Sequence, residues 1–303
     1  VLENTLIHGI THEEISLMMM QRINDEMHGE LNLAIKIFKD EYAKKFLHQL
    51  ISSQLDVDRL DYLRRDSFFT GVTEGNIGSA RIIKMLNVVD DSLVVESKAI
   101  YSIENYLTSR RLMYWSVYLH KTVVAYERTL INCIRRAEYL AKQGWDIFAS
   151  PALKYFLYND INADWFTSHP EALDMYSQLD DSDIWSAVKV WAQSDDKLLS
   201  MLADDVINRH IFKVEVREEP VSDEEQHELR KSLAEKAGIS YDDAGYLMSV
   251  NTIQKDMYDI NDDHISILYK DGTIKDITEA SELLNVDLLS KKIRKYYLCY
   301  QRF

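Results

Sequence analysis

Glycine and proline are scarce in this chain, whose 303 residues contain 9 glycines and 3 prolines. Both residues interrupt regular structure, glycine through its backbone freedom and proline through its fixed φ and missing N–H donor. A fold with many short strands needs many tight turns, and those turns depend heavily on these two residues. The scarcity therefore predicts long helices and argues against a many-stranded sandwich.

The chain is strongly acidic, with 50 Asp and Glu against 35 Lys and Arg and a net charge of −15. General binding to nucleic acid is excluded because phosphate backbones require a basic surface that displaces their counterions. An acidic protein still binds a triphosphate if a local pocket concentrates lysine and arginine. A triphosphate site in this chain would therefore be a small local cluster of lysine and arginine.

The cellular compartment is predicted from the apolar stretches, the first residues and the two cysteines. Its apolar stretches are too short to cross a bilayer, and it does not open with a basic leader followed by an apolar core. Cys133 and Cys299 lie far apart, which is typical of free thiols in a reducing compartment. These features predict a cytoplasmic protein without a membrane partner. The residues from Val1 onward have the pattern of structured sequence, so we expect a fragment of a longer protein.

Helical periodicity dominates the first two thirds of the chain. Thr11 and Glu14 predict a capping box at the start of a helix that runs to Asn24. Apolar residues recur at helical spacing over residues 34–69, and a glycine-punctuated loop follows over residues 71–78. A short hairpin is predicted over residues 88–95. Further helices are predicted over residues 99–143, 152–157, 181–193 and 195–208.

The pattern changes near Asn208. The predicted elements that follow are a strand over 210–216, a helix over 223–236, a strand over 246–250, a hairpin over 265–275, a helix over 279–289 and a strand over 296–300. We therefore divide the chain into a helical domain of residues 1–208 and a small α+β domain of residues 209–303 with an unknown role. The predicted fold class is mainly α with a small C-terminal α+β domain.

The segment that is most informative about chemistry runs from Gln54 to Asp66. On a helix, Asp58, Tyr62 and Asp66 project from one face because they are spaced four residues apart. One interpretation is a solvated helix with ion pairs along its own surface. The other is a helix buried on several sides, whose carboxylates need a metal or a cationic partner. Leucines at positions 55, 60 and 63 favour the second.

A second polar face lies between Thr108 and Lys121, where Arg110, Tyr114, Tyr118 and Lys121 recur at helical spacing. A guanidinium and an ammonium on one face can hold phosphate oxygens while a tyrosine packs against a sugar or base. The alternative is a core helix whose long cationic side chains extend to solvent. The pattern alone does not decide between them.

A lone histidine, His12, follows Thr11 near a predicted helix start. A histidine in that position is more often a capping or surface residue than a catalyst. Pattern alone therefore gives His12 no catalytic role.

These three segments resemble motifs of the HD-domain deoxynucleoside triphosphate triphosphohydrolases, a branch of the HD phosphohydrolase superfamily. The sequence Asp-Val-Asp-Arg-Leu-Asp-Tyr-Leu-Arg-Arg-Asp, which begins at Asp56, is similar to the fourth metal-ligand motif of that family. The Thr-His-Glu at Thr11 matches a second motif. The resemblance covers Val1 to about Gln143, continues weakly to about Lys213, and implies a helical HD-domain core.

The resemblance implies a role for eight residues. Asp58 would be a metal ligand, and His12 would donate a proton to the leaving oxygen, oriented by Glu13 or Glu14. The remaining six would hold the substrate: Arg59, Arg110 and Lys121 at the phosphates, Tyr62 and Asp66 at the sugar, and Tyr118 against the sugar 2′ position, where its ring would disfavour ribonucleotides.

Part of the family's metal site is missing from this sequence. The resembled enzymes bind a divalent ion (Mn, Mg, Fe or Zn) through a histidine, a His-Asp pair and the aspartate matched by Asp58. This sequence contains no His-Asp dipeptide, and in the relatives those ligands lie upstream of the segment that matches Val1. One aspartate does not fix a catalytic ion. We therefore expect this chain by itself to be weakly metallated or inactive.

The predicted function is hydrolysis of a deoxynucleoside triphosphate (dNTP) to a deoxynucleoside and triphosphate. One alternative is an HD-fold phosphatase or phosphodiesterase that acts on another phosphate ester. The other is a regulatory module that binds a nucleotide without turnover, which the unassigned residues 209–303 favour. The resemblance also implies a homo-oligomer, either a dimer or a tetramer.

Overall fold

Helices predominate in the computed structural model, as the scarcity of glycine and proline predicts. The structure describes residues 5–255, 258, 264–283 and 293–303. The segment matched at Val1 and most of the helix predicted over 279–289 therefore lie outside the described residues. The fold class, mainly α with a small C-terminal α/β part, is confirmed. In the described part of the chain, every helix is too short or too polar to span a membrane.

The helices follow one another along the chain with short connections. In order they are α1 (His12–Glu26), α2 (Asn32–Phe38), α3 (Phe46–Ile51), α4 (Val57–Thr70), α5 (Ser79–Lys84), α6 (Ile100–Met113), α7 (Lys121–Lys142), α8 (Pro151–Tyr158), α9 (Ala163–Ser168), α10 (Glu171–Ser177), α11 (Asp181–Trp191), α12 (Lys197–Asn208), α13 (Asp223–Ala237) and α14 (Ile277–Ala280).

The strands form three small sheets. They are β1 (Ile7–His8), β2 (Leu86–Val89), β3 (Ser92–Glu96), β4 (Ile161–Asn162), β5 (Lys213–Arg217), β6 (Met248–Lys255), β7 (Ser266–Leu268), β8 (Ile274–Asp276) and β9 (Ile293–Tyr300). The sheet orders are β1-β4, β2-β3-β7-β8 and β5-β9-β6. Strand β3 is antiparallel to β2 and parallel to β7, while β9 is antiparallel to β5.

Two local predictions are confirmed by their hydrogen bonds and backbone angles. The Thr11 amide donates to Glu14 Oε2 over 2.8 Å, and the Glu14 amide donates to Thr11 Oγ1 over 3.3 Å, which is a complete capping box at the start of α1. The predicted hairpin is β2-β3. Its turn residues Asp90 and Asp91 have φ of 48° and 59°. Aspartate tolerates this left-handed region, which a tight hairpin turn requires.

The backbone contacts divide the chain into two interleaved units. Unit 1 consists of residues 1–22, 121–253 and 295–303, and unit 2 of residues 23–120 and 254–294. This division differs from the predicted boundary at Asn208. The reason is strand pairing: β7 and β8 extend the β2-β3 hairpin in unit 2, whereas β9 pairs with β5 in unit 1. A strand needs a hydrogen-bonding partner, and these strands find theirs in elements far away in sequence.

Unit 1 is built around α7, which packs against α8, α12 and β5. Its apolar core draws on the inner faces of these elements and of α11 and β9. The largest fully buried side chains there are Phe156, Trp191, Phe212 and Tyr297. Burying large apolar and aromatic side chains of this kind is the main favourable term in folding.

Unit 2 is built around α6, which packs against α4, α5 and α14. Its core consists mainly of aliphatic side chains with two buried tyrosines, Tyr106 and Tyr258, and includes Leu63, Ile82, Ile103 and Met113. The hydroxyl of Tyr106 donates to the Gln54 carbonyl over 2.6 Å, which satisfies both polar groups inside the core.

One glycine is required by close packing in unit 2. Gly75 ends a short 3-10 turn, and a Cβ there would lie 2.6 Å from Met113 Sδ and 2.9 Å from Ser67 Cβ. We expect Gly75→Ala to lower the free energy of unfolding by about 1–3 kcal/mol, because the overpacked methyl group must push α4 and α6 apart. Urea denaturation measures this loss.

Gly78 supplies the matched control three residues later. A Cβ at Gly78 would meet no atom within 4 Å, and its φ of −77° suits any residue. Gly78→Ala is expected to change stability by less than about 1 kcal/mol. Equal losses from the two substitutions would contradict the packing explanation.

Candidate functional site

The site begins with the local structure of α4. Asp56 caps the helix by accepting a 2.7 Å hydrogen bond from the Arg59 amide, and Gly71 ends it with a left-handed φ of 71°. Leu60 and Leu63 are buried and fix which face of α4 packs on the core. The packing of these two leucines fixes the direction in which every other side chain of α4 points.

Asp58 is exposed to solvent, which differs from the expected inward orientation. The reason is the geometry of α4. Leu60 and Leu63 pack on the core, and a residue two positions before Leu60 projects about 160° away from it around the helix. The metal-ligand role of Asp58 stays a prediction, now with the carboxylate on an open face of the helix.

Arg59 is half-buried and is held by its own helix turn. Its Nη1 donates to the Asp56 side chain and to the Ser53 carbonyl. It also borders a polar cleft of about 470 Å³, lined by Asp40, Lys45, His48, Gln49, Ser52, Ser53, Arg59 and Ser92. The charge of Arg59 is thus partly balanced by Asp56.

The structure brings Tyr62, Asp66 and Tyr118 together. The Tyr118 hydroxyl donates to Asp66 Oδ2 over 2.7 Å, although 52 positions separate them in sequence. The Tyr62 and Tyr118 rings meet edge to face with centroids 6.0 Å apart, and the Tyr114 ring meets Tyr118 at 5.4 Å. Edge-to-face contact of this kind is favourable because a ring edge is positive and a ring face negative. The result is an aromatic wall with one carboxylate.

A π-helical turn, Tyr114–Tyr118, produces part of this arrangement. The Leu119 amide donates to the Tyr114 carbonyl over 2.7 Å, five residues back, instead of four as in an α-helix. Such turns insert one residue into a helix and often occur at functional sites. They also end regular spacing, so the continuous helical face predicted from Arg110 to Lys121 is interrupted before α7 begins at Lys121.

Arg110 lies beside this wall with part of its hydrogen-bonding capacity unused. Its guanidinium carbon is 6.0 Å from the Tyr114 ring centroid, and the guanidinium donates a hydrogen bond to the Tyr114 hydroxyl. Its Nε and Nη1 atoms are buried and have no hydrogen-bond partner among the described residues. Leaving buried donors unpaired costs free energy, and such groups are retained mainly where they serve function. Arg110 is thus suited to receive an anion.

The tyrosines remain protonated donors at neutral pH. Burial raises the pKa of Tyr62 to about 12, assisted by Tyr114 and opposed by Arg110 and Arg59. Burial and the hydrogen bond to Asp66 raise the pKa of Tyr118. A protonated phenol donates a hydrogen bond, so Tyr118 holds the Asp66 carboxylate in place.

His12 and Lys121 belong to unit 1, whereas the six other predicted site residues belong to unit 2. The His12 side chain is 67% exposed, and its Nε2 lies 3.2 Å from Glu13 Oε1. Of the two acidic neighbours, Glu13 is in contact with the imidazole, while Glu14 serves the capping box. Lys121 is exposed at the start of α7. The catalytic role of His12 and the phosphate role of Lys121 stay predictions.

The residues that the structure describes do not form a metal site around Asp58. Within the described residues, the one group of three or more potential ligands whose donor atoms lie close together is Asp204, Asp205 and His210. Asp58 is outside that group. A single exposed carboxylate offers too few ligands to fix a divalent ion, so any catalytic ion at Asp58 would require further ligands.

Tyr114 was predicted to share a helical face with Arg110 and Tyr118, but no role was assigned to it from the sequence. It contacts both Arg110 and Tyr118, and the signal was available because Tyr114 is four residues from each. The π-helical turn has no recognisable sequence signature. The burial of the Arg110 Nε and Nη1 atoms likewise depends on which residues pack over them.

Comparison with known proteins agrees with this fold. A family model described as the HD associated region matches residues 77–145. A crystal structure of a phosphohydrolase from Bacteroides thetaiotaomicron is 63% identical and superposes with a TM-score of 0.95, covering 99% of this chain and 75% of that one. This chain therefore belongs to the HD phosphohydrolase family.

The more distant relatives are longer proteins than this chain. The uncharacterized protein YwfO of Bacillus subtilis is 30% identical over 271 residues, which cover 88% of this chain and 59% of that protein. The deoxynucleoside triphosphate triphosphohydrolase SAMHD1 homolog of Dictyostelium discoideum is 25% identical over 144 residues, or 43% of this chain and 28% of that protein. The chain thus spans well under two thirds of the length of these curated relatives.

Proposed function

We propose that this protein is a nucleotide phosphohydrolase that cleaves a dNTP into a deoxynucleoside and triphosphate. The observation that carries the proposal is Arg110, whose Nε and Nη1 atoms are buried without a hydrogen-bond partner among the described residues, beside a wall of tyrosines and one carboxylate. A phosphate requires cationic donors, and a nucleoside requires apolar ring contacts and hydrogen bonds. A general phosphatase needs only the first of these, so the combination favours a nucleotide.

Within unit 2, each residue has a proposed task. Arg110 and Arg59 neutralise phosphate oxygens as charge develops on them during the reaction. Tyr62 packs against the sugar, Asp66 accepts a hydrogen bond from a sugar hydroxyl, and Tyr118 holds Asp66 while its ring restricts the space at the 2′ position. The weak likeness to the Dictyostelium SAMHD1 homolog, which is named as a deoxynucleoside triphosphate triphosphohydrolase, supports a dNTP as the substrate class.

Two residues of unit 1 complete the proposal. Lys121 contributes a further phosphate contact, and His12 donates a proton to the departing oxygen, with Glu13 orienting the imidazole. The proton leaves a histidine nitrogen and ends on the leaving alcohol. A divalent ion in HD enzymes supplies charge for the phosphate. We propose that Asp58 contributes one ligand and that the other ligands lie in sequence upstream of Val1. A homo-oligomer is part of the same proposal.

The test is product analysis on the intact protein, including any residues encoded before Val1. Each dNTP is incubated with Mn²⁺ or Mg²⁺, and the products are separated by ion-exchange chromatography. We expect a deoxynucleoside and inorganic triphosphate in equal amounts. Release of inorganic phosphate or pyrophosphate instead would support an HD-fold phosphatase or phosphodiesterase, and absence of products from every dNTP would contradict the proposal.

A second candidate function is nucleotide binding without turnover. It is favoured by the solvent exposure of Asp58 and by the absence of a ligand cluster around it in the described residues. Under this alternative, calorimetry on the intact protein with a dNTP shows tight binding, while the product assay shows no hydrolysis. The two experiments together separate an enzyme from a regulatory binding module.

Tyr118 offers a test of the proposed sugar site. We expect Tyr118→Ala to reduce the preference in kcat/KM for a dNTP over the matching ribonucleotide by about 10- to 100-fold, because the ring no longer fills the space of a 2′ hydroxyl. Tyr118→Phe is the matched control, since it keeps the ring and removes only the hydrogen bond to Asp66. An unchanged preference in Tyr118→Ala would favour a phosphatase site without sugar recognition.

A further inference from the structure

The C-terminal end of α12 gathers three potential ligands in unit 1. Arg209 follows the helix with a left-handed φ of 59°, and the chain reverses so that the His210 amide donates to the Asp205 carbonyl over 2.9 Å. This places His210 Nδ1 3.9 Å from Asp205 Oδ1. One donor atom from each of Asp204, Asp205 and His210 lies within 4.8 Å of the others. Ligands bound at about 2.0–2.2 Å from one ion have comparable separations.

A second observation comes from the end of the chain. Gln301 is only 7% exposed, and its Nε2 donates to Asp205 Oδ2 over 2.8 Å. Its Oε1 is buried and has no hydrogen-bond partner in the part of the chain that the structure describes. Both atoms belong to one amide, so Oε1 lies within about 5 Å of the Asp205 carboxylate. A buried oxygen of this kind requires a donor, which a metal-bound water would supply.

The surroundings of Asp205 also favour a cation. This carboxylate is 5% exposed among the apolar side chains of the unit 1 core, and burying a charge in such a place is costly without a partner. The helix macrodipole adds partial negative charge at the C-terminal end of α12.

We propose that Asp204, Asp205 and His210 bind one divalent transition-metal ion of the Zn²⁺ type, with Gln301 as the positioning residue that orients the Asp205 carboxylate. Two carboxylates and an imidazole suit Zn²⁺ better than Mg²⁺, which prefers oxygen ligands alone. Asn208 Nδ2 donates to Asp204 Oδ1 over 2.8 Å and steadies the second carboxylate. None of these residues belongs to the proposed nucleotide site, so the two proposals can fail independently.

The test is calorimetric titration of ZnCl₂ into the chelator-treated full chain, with MgCl₂ as the comparison. We expect one Zn²⁺ per chain and much weaker binding of Mg²⁺. His210→Gln and Asp204→Asn each remove an exposed ligand and should weaken Zn²⁺ binding by more than about 100-fold. Gln301→Leu should weaken it by about 10- to 100-fold, the usual effect of losing a group that orients a ligand.

His227→Gln is the matched control, since it removes another exposed histidine of unit 1 outside the cluster. Circular dichroism in the presence of chelator verifies that each variant is folded before titration. Zinc binding that is equal in the wild type and in His210→Gln would overturn the proposal. So would the absence of stoichiometric Zn²⁺ binding by the wild type, or an equal loss in His227→Gln.

Discussion

Replacing Arg110 with lysine is expected to lower kcat/KM for nucleotide hydrolysis by the intact protein by about 100- to 1,000-fold. This is the usual cost of removing one donor that stabilises charge in a transition state. Lysine keeps the charge but loses the planar set of N–H donors and reaches less far. The measurement is steady-state hydrolysis of the dNTP that is cleaved best.

Removing the Arg110 guanidinium is also expected to have an unusual effect on stability. In the part of the chain that the structure describes, the Nε and Nη1 atoms of Arg110 are buried without hydrogen-bond partners, and each such group costs about 1–3 kcal/mol in the folded state. Arg110→Met should therefore abolish activity while leaving the free energy of unfolding unchanged or higher. A residue that serves function at a cost to the stability of the fold behaves in this way. If Arg110 had only a structural role, Arg110→Met would leave activity unchanged and lower the free energy of unfolding.

Arg65→Lys is the matched control for Arg110. Arg65 also lies in unit 2 and forms an exposed ion pair with Asp61 one turn away. Exposed pairs contribute about 0–1 kcal/mol, so this variant should retain both activity and stability. Loss of activity in both variants would show that any change of an arginine in unit 2 disturbs the site. Full activity in Arg110→Lys would contradict the proposed phosphate role.

The largest expected effect on stability comes from Arg136 in α7. Its guanidinium donates to both oxygens of Asp196 over 3.1 and 2.7 Å, and to Asp243 over 2.7 Å. The side chains of Arg136 and Asp196 are 9% and 11% exposed. We expect Arg136→Met to lower the free energy of unfolding by about 3–5 kcal/mol, because it leaves Asp196 charged and buried without its cationic partner. Urea denaturation measures this effect.

Two further variants identify the cause of that loss. Arg135→Met changes the adjacent, exposed residue of the same helix, so its effect should stay within about 0.5 kcal/mol. Asp196 also caps α12 by accepting from the Leu199 amide over 2.7 Å, and asparagine can keep that cap. Adding Asp196→Asn to Arg136→Met should therefore recover part of the stability. No recovery would mean that lost packing, rather than an unpaired charge, explains the effect.

The ion pair also predicts a pH dependence. Although burial opposes it, the hydrogen bonds from Arg136 lower the pKa of Asp196 below its usual value. A carboxylate with a lowered pKa stabilises the fold at every pH above its unfolded pKa, near 4, and loses that contribution as the pH falls through its folded pKa. The stability difference between the wild type and Arg136→Met should therefore be largest near pH 7, where Asp196 is charged in both proteins, and should shrink as the pH falls and Asp196 of the variant becomes protonated.

Much of the local structure follows from sequence because its causes are local. The capping box of Thr11 and Glu14 is contained in four consecutive residues, and the turn at Asp90 and Asp91 depends on the residues that tolerate its backbone angles. The apolar spacing in α4 correctly predicts that Leu60 and Leu63 are buried. The same spacing did not predict that Asp58 would be exposed, because burial on one side of a helix says nothing about what covers the other.

The amino-acid sequence alone was enough to predict that the protein is mainly helical, where most of its helices and its C-terminal strands lie, and which family motifs it carries. Three features depended on the folded chain: β7 and β8 join a sheet that begins near residue 86, Tyr118 reaches Asp66 from 52 positions away, and two nitrogens of Arg110 are buried without a hydrogen-bond partner among the described residues. The physical reason is that capping and periodicity act within a few residues, whereas strand pairing and burial depend on surfaces that meet only after the chain has folded.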